Sequence, residues 1–185
     1  MKKIFFLGAL LAFATQNHAQ TLRFGVKGGI NYANMTGGDI AGYNDFKAIT
    51  SYHLGILTEI KLTDNLAVQP ELIYSTQGAE YENAVDDIKN ELGYLAIPVL
   101  VKFYLNDGKT FSLEAGPQAS FLVSERNKVE LNDTNTFDFA LVGGLEYKLT
   151  QNFFIQGRYN LGLTEAKKDA DVKNSVIQLS AGFMF

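Results

Sequence analysis

A chain of 185 residues builds one sizeable core but not two comfortable domains. Its 20 acidic residues against 16 basic ones, with a pI near 5.2, argue against a nucleic-acid binder, which needs a basic stripe to neutralise phosphates. With no cysteine and only two histidines, His18 and His53, disulfide scaffolds, thiolate zinc sites, cysteine nucleophiles and multi-histidine metal sites are excluded.

The first residues read as an address. Lys2 and Lys3 precede an apolar run over 4–15, and the chain then turns polar around Ala19. This is the layout of a secretory signal peptide, 1–19, cleaved after Ala19, with a weaker alternative site within 12–14. The run is too short to span a bilayer as a helix, which needs ~20 apolar residues. Its removal takes Lys2, Lys3 and no acid, so the domain at 20–185 carries 14 basic and 20 acidic residues, a net of −6. His53 is then the one histidine left.

Beyond the leader the dominant signal is period two. In 22–32, Leu22, Phe24, Val26, Ile30 and Tyr32 share one face, and Arg23, Lys27 and Asn31 take the other. In 52–62, Tyr52, Leu54, Ile56, Ile60 and Leu62 stand opposite His53, Glu59 and Lys61. In 66–76, Leu66, Val68, Leu72 and Tyr74 oppose Gln69, Glu71 and Ser75, and in 95–105 every odd position is apolar while Lys102 faces away. The segments 111–123, 137–149, 153–163 and 177–185 repeat the scheme, with Glu114, Glu146, Lys148 and Arg158 on the second face. No charged residue falls on the apolar parity in any of the eight segments.

Short Asn- and Asp-rich turns at 63–65, 106–110 and 150–152 alternate with longer polar connections near 33–51, 77–94, 124–136 and 164–174. The short turns and both termini fall at one end. A transmembrane barrel has this asymmetry, with short periplasmic turns and long extracellular loops, and its tilted strands need ~9–11 residues to cross. A soluble ligand-binding barrel would show the same alternation with the apolar face inward. It needs no such difference between its ends. It also does not explain the aromatics, which cluster on the apolar parity at two depths. Phe24, Phe103, Phe111, Tyr147, Phe153, Phe183 and Phe185 lie near the turn end, and Tyr32, Tyr52, Tyr74, Phe121, Phe137 and Tyr159 near the loop end. Two aromatic girdles around an aliphatic band belong to a barrel in lipid. The expected fold is therefore all-β, an eight-stranded antiparallel up-and-down transmembrane β-barrel. Phe183 and Phe185, ending an alternating strand, are the expected assembly signal.

The segments FGVKGGINYANMTGG, NLAVQPELIYSTQGA and YLAIPVLVKFYL, followed by SLEAGPQASFLV, FALVGGLEYKL, FFIQGRYNLGLTEA and KNSVIQLSAGFMF, resemble the small outer-membrane β-barrel family often labelled porin family or PorT family. The resemblance spans essentially the whole of 20–185. It implies an eight-stranded barrel in the outer membrane of a Gram-negative bacterium and no particular biochemical activity. One branch of the family assists a protein secretion system. His53 departs from the pattern, at a position where a smaller residue is expected.

Catalytic chemistry has little to stand on. Acyl transfer wants a histidine base beside a serine nucleophile, and Ser51, two residues along the strand from His53, would stand about 7 Å away. His53 is read as a lumen histidine bonded to a neighbour. The acidic segment holding Glu80, Glu82, Asp86, Asp87 and Glu91 against Lys89 is read as a solvated loop, with divalent-cation binding as the lesser alternative. Gly28, Gly29, Gly143 and Gly144 lie within strands and are expected to admit bends and large lumen side chains. Pro70, Pro98 and Pro117 are expected at bulges or strand ends.

The charged parity supplies the candidate site: a lumen ion network of Arg23, Lys27, Glu59, Lys61, Glu71, Lys102, Glu114, Glu146, Lys148 and Arg158, with Lys102 set opposite Glu114. An eight-stranded lumen is just wide enough for side chains to fill, and buried charges persist only when paired. The expectation is a closed monomer without cofactor, metal or catalysis, acting structurally or by interaction through its extracellular loops. Its surroundings would be outer-membrane lipid and lipopolysaccharide, the outer-membrane assembly machinery during biogenesis, and an extracellular or periplasmic protein partner. A role in envelope assembly or secretion is the narrower version, and a narrow porin passing small solutes is the alternative.

Overall fold

A computed structural model describes residues 22–36, 49–83, 86–126, 137–167 and 170–185, so the expected signal peptide lies outside the described residues. The chain forms eight strands, β1 (Leu22–Thr36), β2 (Ile49–Lys61), β3 (Leu66–Asn83), β4 (Asp86–Tyr104), β5 (Phe111–Arg126), β6 (Phe137–Lys148), β7 (Phe153–Lys167) and β8 (Ala170–Met184). Each pairs antiparallel with its neighbour in sequence, and β8 returns to β1, so the sheet closes into a barrel. Closure is what lipid demands, because hydrocarbon offers no water to an unpaired strand edge.

The register fixes the dimensions. Following partners once around the wall, Leu22 leads through Ile60, Val68, Val101, Ala115, Gly143, Tyr159 and Ile177 to Tyr32, ten residues further along β1. With ordinary strand spacing, a shift of that size over eight strands gives a tilt of about 40° and a backbone radius of about 8 Å. The apolar parity faces outward throughout, with Leu54, Phe24, Leu179 and Tyr52 each more than half exposed. Of the expected aromatics, all but the half-buried Phe111 stand exposed on that surface, and Phe121 and Phe137 meet across β5 and β6 with centroids 5.4 Å apart.

Two expected loops are largely strand. β3 and β4 stay paired through 77–83 and 86–94, in the register Glu80↔Lys89 and Glu82↔Asp87, and β7 and β8 run through most of 164–174. At 18 and 19 residues, β3 and β4 exceed the ~9–11 that a tilted strand needs to cross, so the hairpin extends beyond the bilayer. There lipid no longer imposes an apolar parity, and the alternation in the sequence disappears while the backbone ladder continues. The side chains of the acidic segment lie outside the described residues.

The prolines interrupt the ladder without bulging it. Pairing lapses from Leu57↔Glu71 to Ile60↔Val68, from Pro70↔Val99 to Ile73↔Ala96, and from Pro98↔Gln118 to Val101↔Ala115, each time with the register kept. A missing N–H removes a rung but leaves the neighbouring rungs to hold alignment. The register shifts of the wall lie elsewhere, at Gly93/Tyr94 and within 161–167.

The seam between β8 and β1 ends on Phe185, whose N–H donates to the Phe24 carbonyl at 2.8 Å. Its ring packs edge-on against Phe183, which meets Phe153 in turn at 5.9 Å between centroids. Met184, between them in sequence, points inward and packs with Leu57 and Phe154. Met184→Ala would therefore open a core cavity costing about 2–5 kcal/mol. Phe185→Asp should sharply lower the amount of heat-modifiable barrel recovered from cell membranes, while Phe185→Leu should largely preserve it. Equal recovery of the two variants would remove any special role for the terminal aromatic.

Candidate functional site in the barrel lumen

Period two sends the polar parity inward, and seven strands deliver ionic or amide groups to one connected buried network. Its centre is Arg158 on β7. The guanidinium forks onto Glu71 of β3, with Nη1 donating to Oε2 at 2.7 Å and Nη2 to Oε1 at 2.5 Å. Its Nε donates to Oε1 of Glu114 on β5 at 2.5 Å. Lys27 on β1 lies 2.9 Å from Glu71 Oε2 and donates to Gln156 Oε1 at 3.0 Å. All these charged side chains are at most 1% exposed. Gly144 makes room for this arrangement, since a Cβ there would fall 2.7 Å from Arg158 Cγ and 3.1 Å from Glu114 Oε1.

Nearer the short turns lies a second group. Lys102 on β4 sits 2.8 Å from Glu146 of β6 and 3.1 Å from Glu59 of β2, and Lys148 approaches Glu59 at 3.5 Å. Lys148 also stands over the Tyr104 ring, 4.9 Å from its centroid. Gln156 joins the two groups, its amide donating to Glu114 at 3.1 Å and to Glu146 at 3.4 Å.

The geometry corrects the expected partner of Lys102. The β4–β5 register does set Lys102 opposite Glu114. Glu114, however, is taken by Arg158 and Gln156, so the ammonium turns across the lumen to Glu59 and Glu146. Arg23 and Lys61 also stand apart from the network. Both lie half-buried at the mouth, where the lumen widens to water, and Arg23 donates to the Gln151 carbonyl at 2.7 Å. Gln156 and Gln69, which donates to Glu71 at 2.7 Å, carry connections that charge alone does not flag. Their inward parity was the available signal.

Towards the loop end, a neutral polar layer follows. His53 Nδ1 meets Asn31 Oδ1 and Nε2 meets Ser180 Oγ, both at 2.7 Å. Gln178 donates to Asn31 Oδ1 at 3.0 Å. Asn31 donates to Ser75 Oγ and the Thr76 carbonyl, and Ser51 donates to that same carbonyl rather than to His53. Both ring nitrogens of the buried His53 are thus occupied.

The family described as Outer membrane protein beta-barrel domain matches residues 14–168. The fold is similar to that of Ail, the attachment invasion locus protein of Yersinia pestis, solved with the heparin analogue sucrose octasulfate, at 19% identity and a TM-score of 0.54 over 89% of this chain and 99% of that one. It is similar also to Neisserial surface protein A, at 12% identity and 0.57 over 88% and 97%. OprG from Pseudomonas aeruginosa compares at 14% identity and 0.51 over 90% and 97%. No curated protein matches the sequence.

Because a buried ion left without its partner is far worse than a buried pair, Lys102→Ala should destabilise the barrel by about 3–5 kcal/mol in urea unfolding from lipid vesicles. Lys102→Met combined with Glu146→Leu should recover part of that loss. Lys102→Met combined with Glu114→Leu should not, because it also strips Arg158 of a partner. Equal recovery by the two combinations would refute the cross-lumen pairing.

Proposed function

The chain belongs to the outer membrane protein beta-barrel domain family and resides in the outer membrane of a Gram-negative bacterium; we propose that it acts there as a closed scaffold, without catalysis. What carries the reading is the buried ion network, in which groups from seven strands fill a lumen of about 8 Å backbone radius. A hydrated solute would have to strip charges from partners 2.5 to 3.1 Å away. His53 supports the non-catalytic side, since both its nitrogens are engaged and Ser51 is directed elsewhere.

The work of such a protein lies at its surfaces. Membrane lipid and lipopolysaccharide surround the apolar face. The assembly machinery reads the terminal strand with Phe183 and Phe185. The β3–β4 hairpin reaches a protein partner outside the bilayer, and a supporting role in envelope assembly or protein secretion is the narrower form of this reading.

Reconstituted into planar bilayers, the purified monomer should show no stable conductance steps. Reproducible ohmic steps, insensitive to Arg158→Ala and Lys102→Ala, would overturn the closed scaffold in favour of a narrow porin for small solutes.

A further inference from the structure

At the short-turn end the lumen opens into a cavity of about 570 Å³, framed by the ends of β1, β2 and β6 and by the 106–110 and 150–152 turns. This lies within the ~300–1,000 Å³ of small-molecule sites. Four cations line it, Arg23, Lys61, Lys109 and Lys148, and among the described residues no carboxylate does. Two of them are matched from outside the lining: Lys109 lies 3.3 Å from Asp64, and Lys148 lies 3.5 Å from Glu59. Among the described residues Arg23 makes one side-chain hydrogen bond, to the neutral Gln151 carbonyl, which leaves the rest of its guanidinium fork without a partner there. Lys61 has no ion-pair partner among the described residues. The lining thus carries two cations, Arg23 and Lys61, that form no ion pair among the described residues, in a concave setting where the field on an entering ion is focused.

We propose that this cavity binds a phosphate-class dianion from the periplasm, inorganic phosphate or a phosphomonoester. Two unmatched cations fit a dianion in charge, and the fork of Arg23 suits the tetrahedral oxygens of phosphate better than it suits a spherical ion. Lys61 acts as the second point charge, and the remaining volume accommodates the organic part of an ester. The site is separated from the sealed lumen by the Lys102–Glu59–Glu146 group, so binding does not require passage.

The test uses the refolded barrel in uncharged detergent, with sodium phosphate titrated against sodium chloride at matched ionic strength. The amide resonances of Gly108, Thr110 and Asn152 report on the cavity. Saturable shifts with phosphate and not with chloride are expected. Arg23→Gln and Lys61→Gln should each weaken binding by about tenfold, the loss of one charge-assisted bond. Asp64→Asn should tighten it, by releasing Lys109. All three residues lie outside the buried network, and heat-dependent gel mobility verifies that each variant is folded. Shifts that fail to saturate, match those with chloride, or survive both cation substitutions would overturn the proposal. A response to phosphatidylglycerol vesicles without one to free phosphate would overturn the assignment to a periplasmic solute.

Discussion

The guanidinium of Arg158 is gripped by two carboxylates from strands on other parts of the wall, and much of the interior follows from that grip. In a dry lumen a cation survives only if its charge and its hydrogens are met together. Glu71 accepts the fork, Glu114 accepts the remaining Nε, and both carboxylates are then committed. Lys27 completes the charge around Glu71, and Lys102 is directed instead to Glu59 and Glu146. Gly144 must stay without a side chain for the guanidinium stem to pass. One constraint thus selects residues on seven strands.

The exterior answers a different solvent. Lipid accepts no unpaired backbone group and no exposed charge, so the wall closes on itself and shows aliphatic and aromatic side chains outward. The two requirements meet in every strand, whose successive residues alternate between a greasy exterior and a polar interior. The same backbone ladder carries β3 and β4 past the membrane, because hydrogen bonding between strands needs no lipid. The result is a barrel whose middle holds buried ion pairs and whose two ends differ. A long hairpin projects on one side, and a cation-lined basin opens on the other.

This division explains what the sequence made legible. Lipid imposes period two on each spanning segment, so strand number, order, facing and even the Lys102↔Glu114 register could be read from residues alone. Outside the bilayer that pressure vanishes, and the paired ends of β3 and β4 at 77–83 and 86–94 carry the polar composition of a loop. Partner choice inside the lumen was hidden for a related reason. A lumen side chain reaches across open space as easily as along a rung, so Lys102 bonds to strands two positions away on either side rather than to its neighbour. Arg23 and Lys61 share the parity of the network residues, and only their position at strand ends places them in the mouth instead. Gln156, uncharged, joins the two ionic groups and carries no signal beyond its facing.

The central claim is that the ionic lumen is dry and fixed, and the side-chain hydrogens of Arg158 report on it most directly. In nuclear magnetic resonance spectra of the barrel in lipid nanodiscs, a guanidinium held by Glu71 and Glu114 should give separate Nη resonances. Its Nε hydrogen should exchange with deuterated water over hours. Averaged Nη signals and exchange at the rate of a solvent-exposed arginine would contradict the account, because they would place mobile water where the closed lumen requires fixed ion pairs.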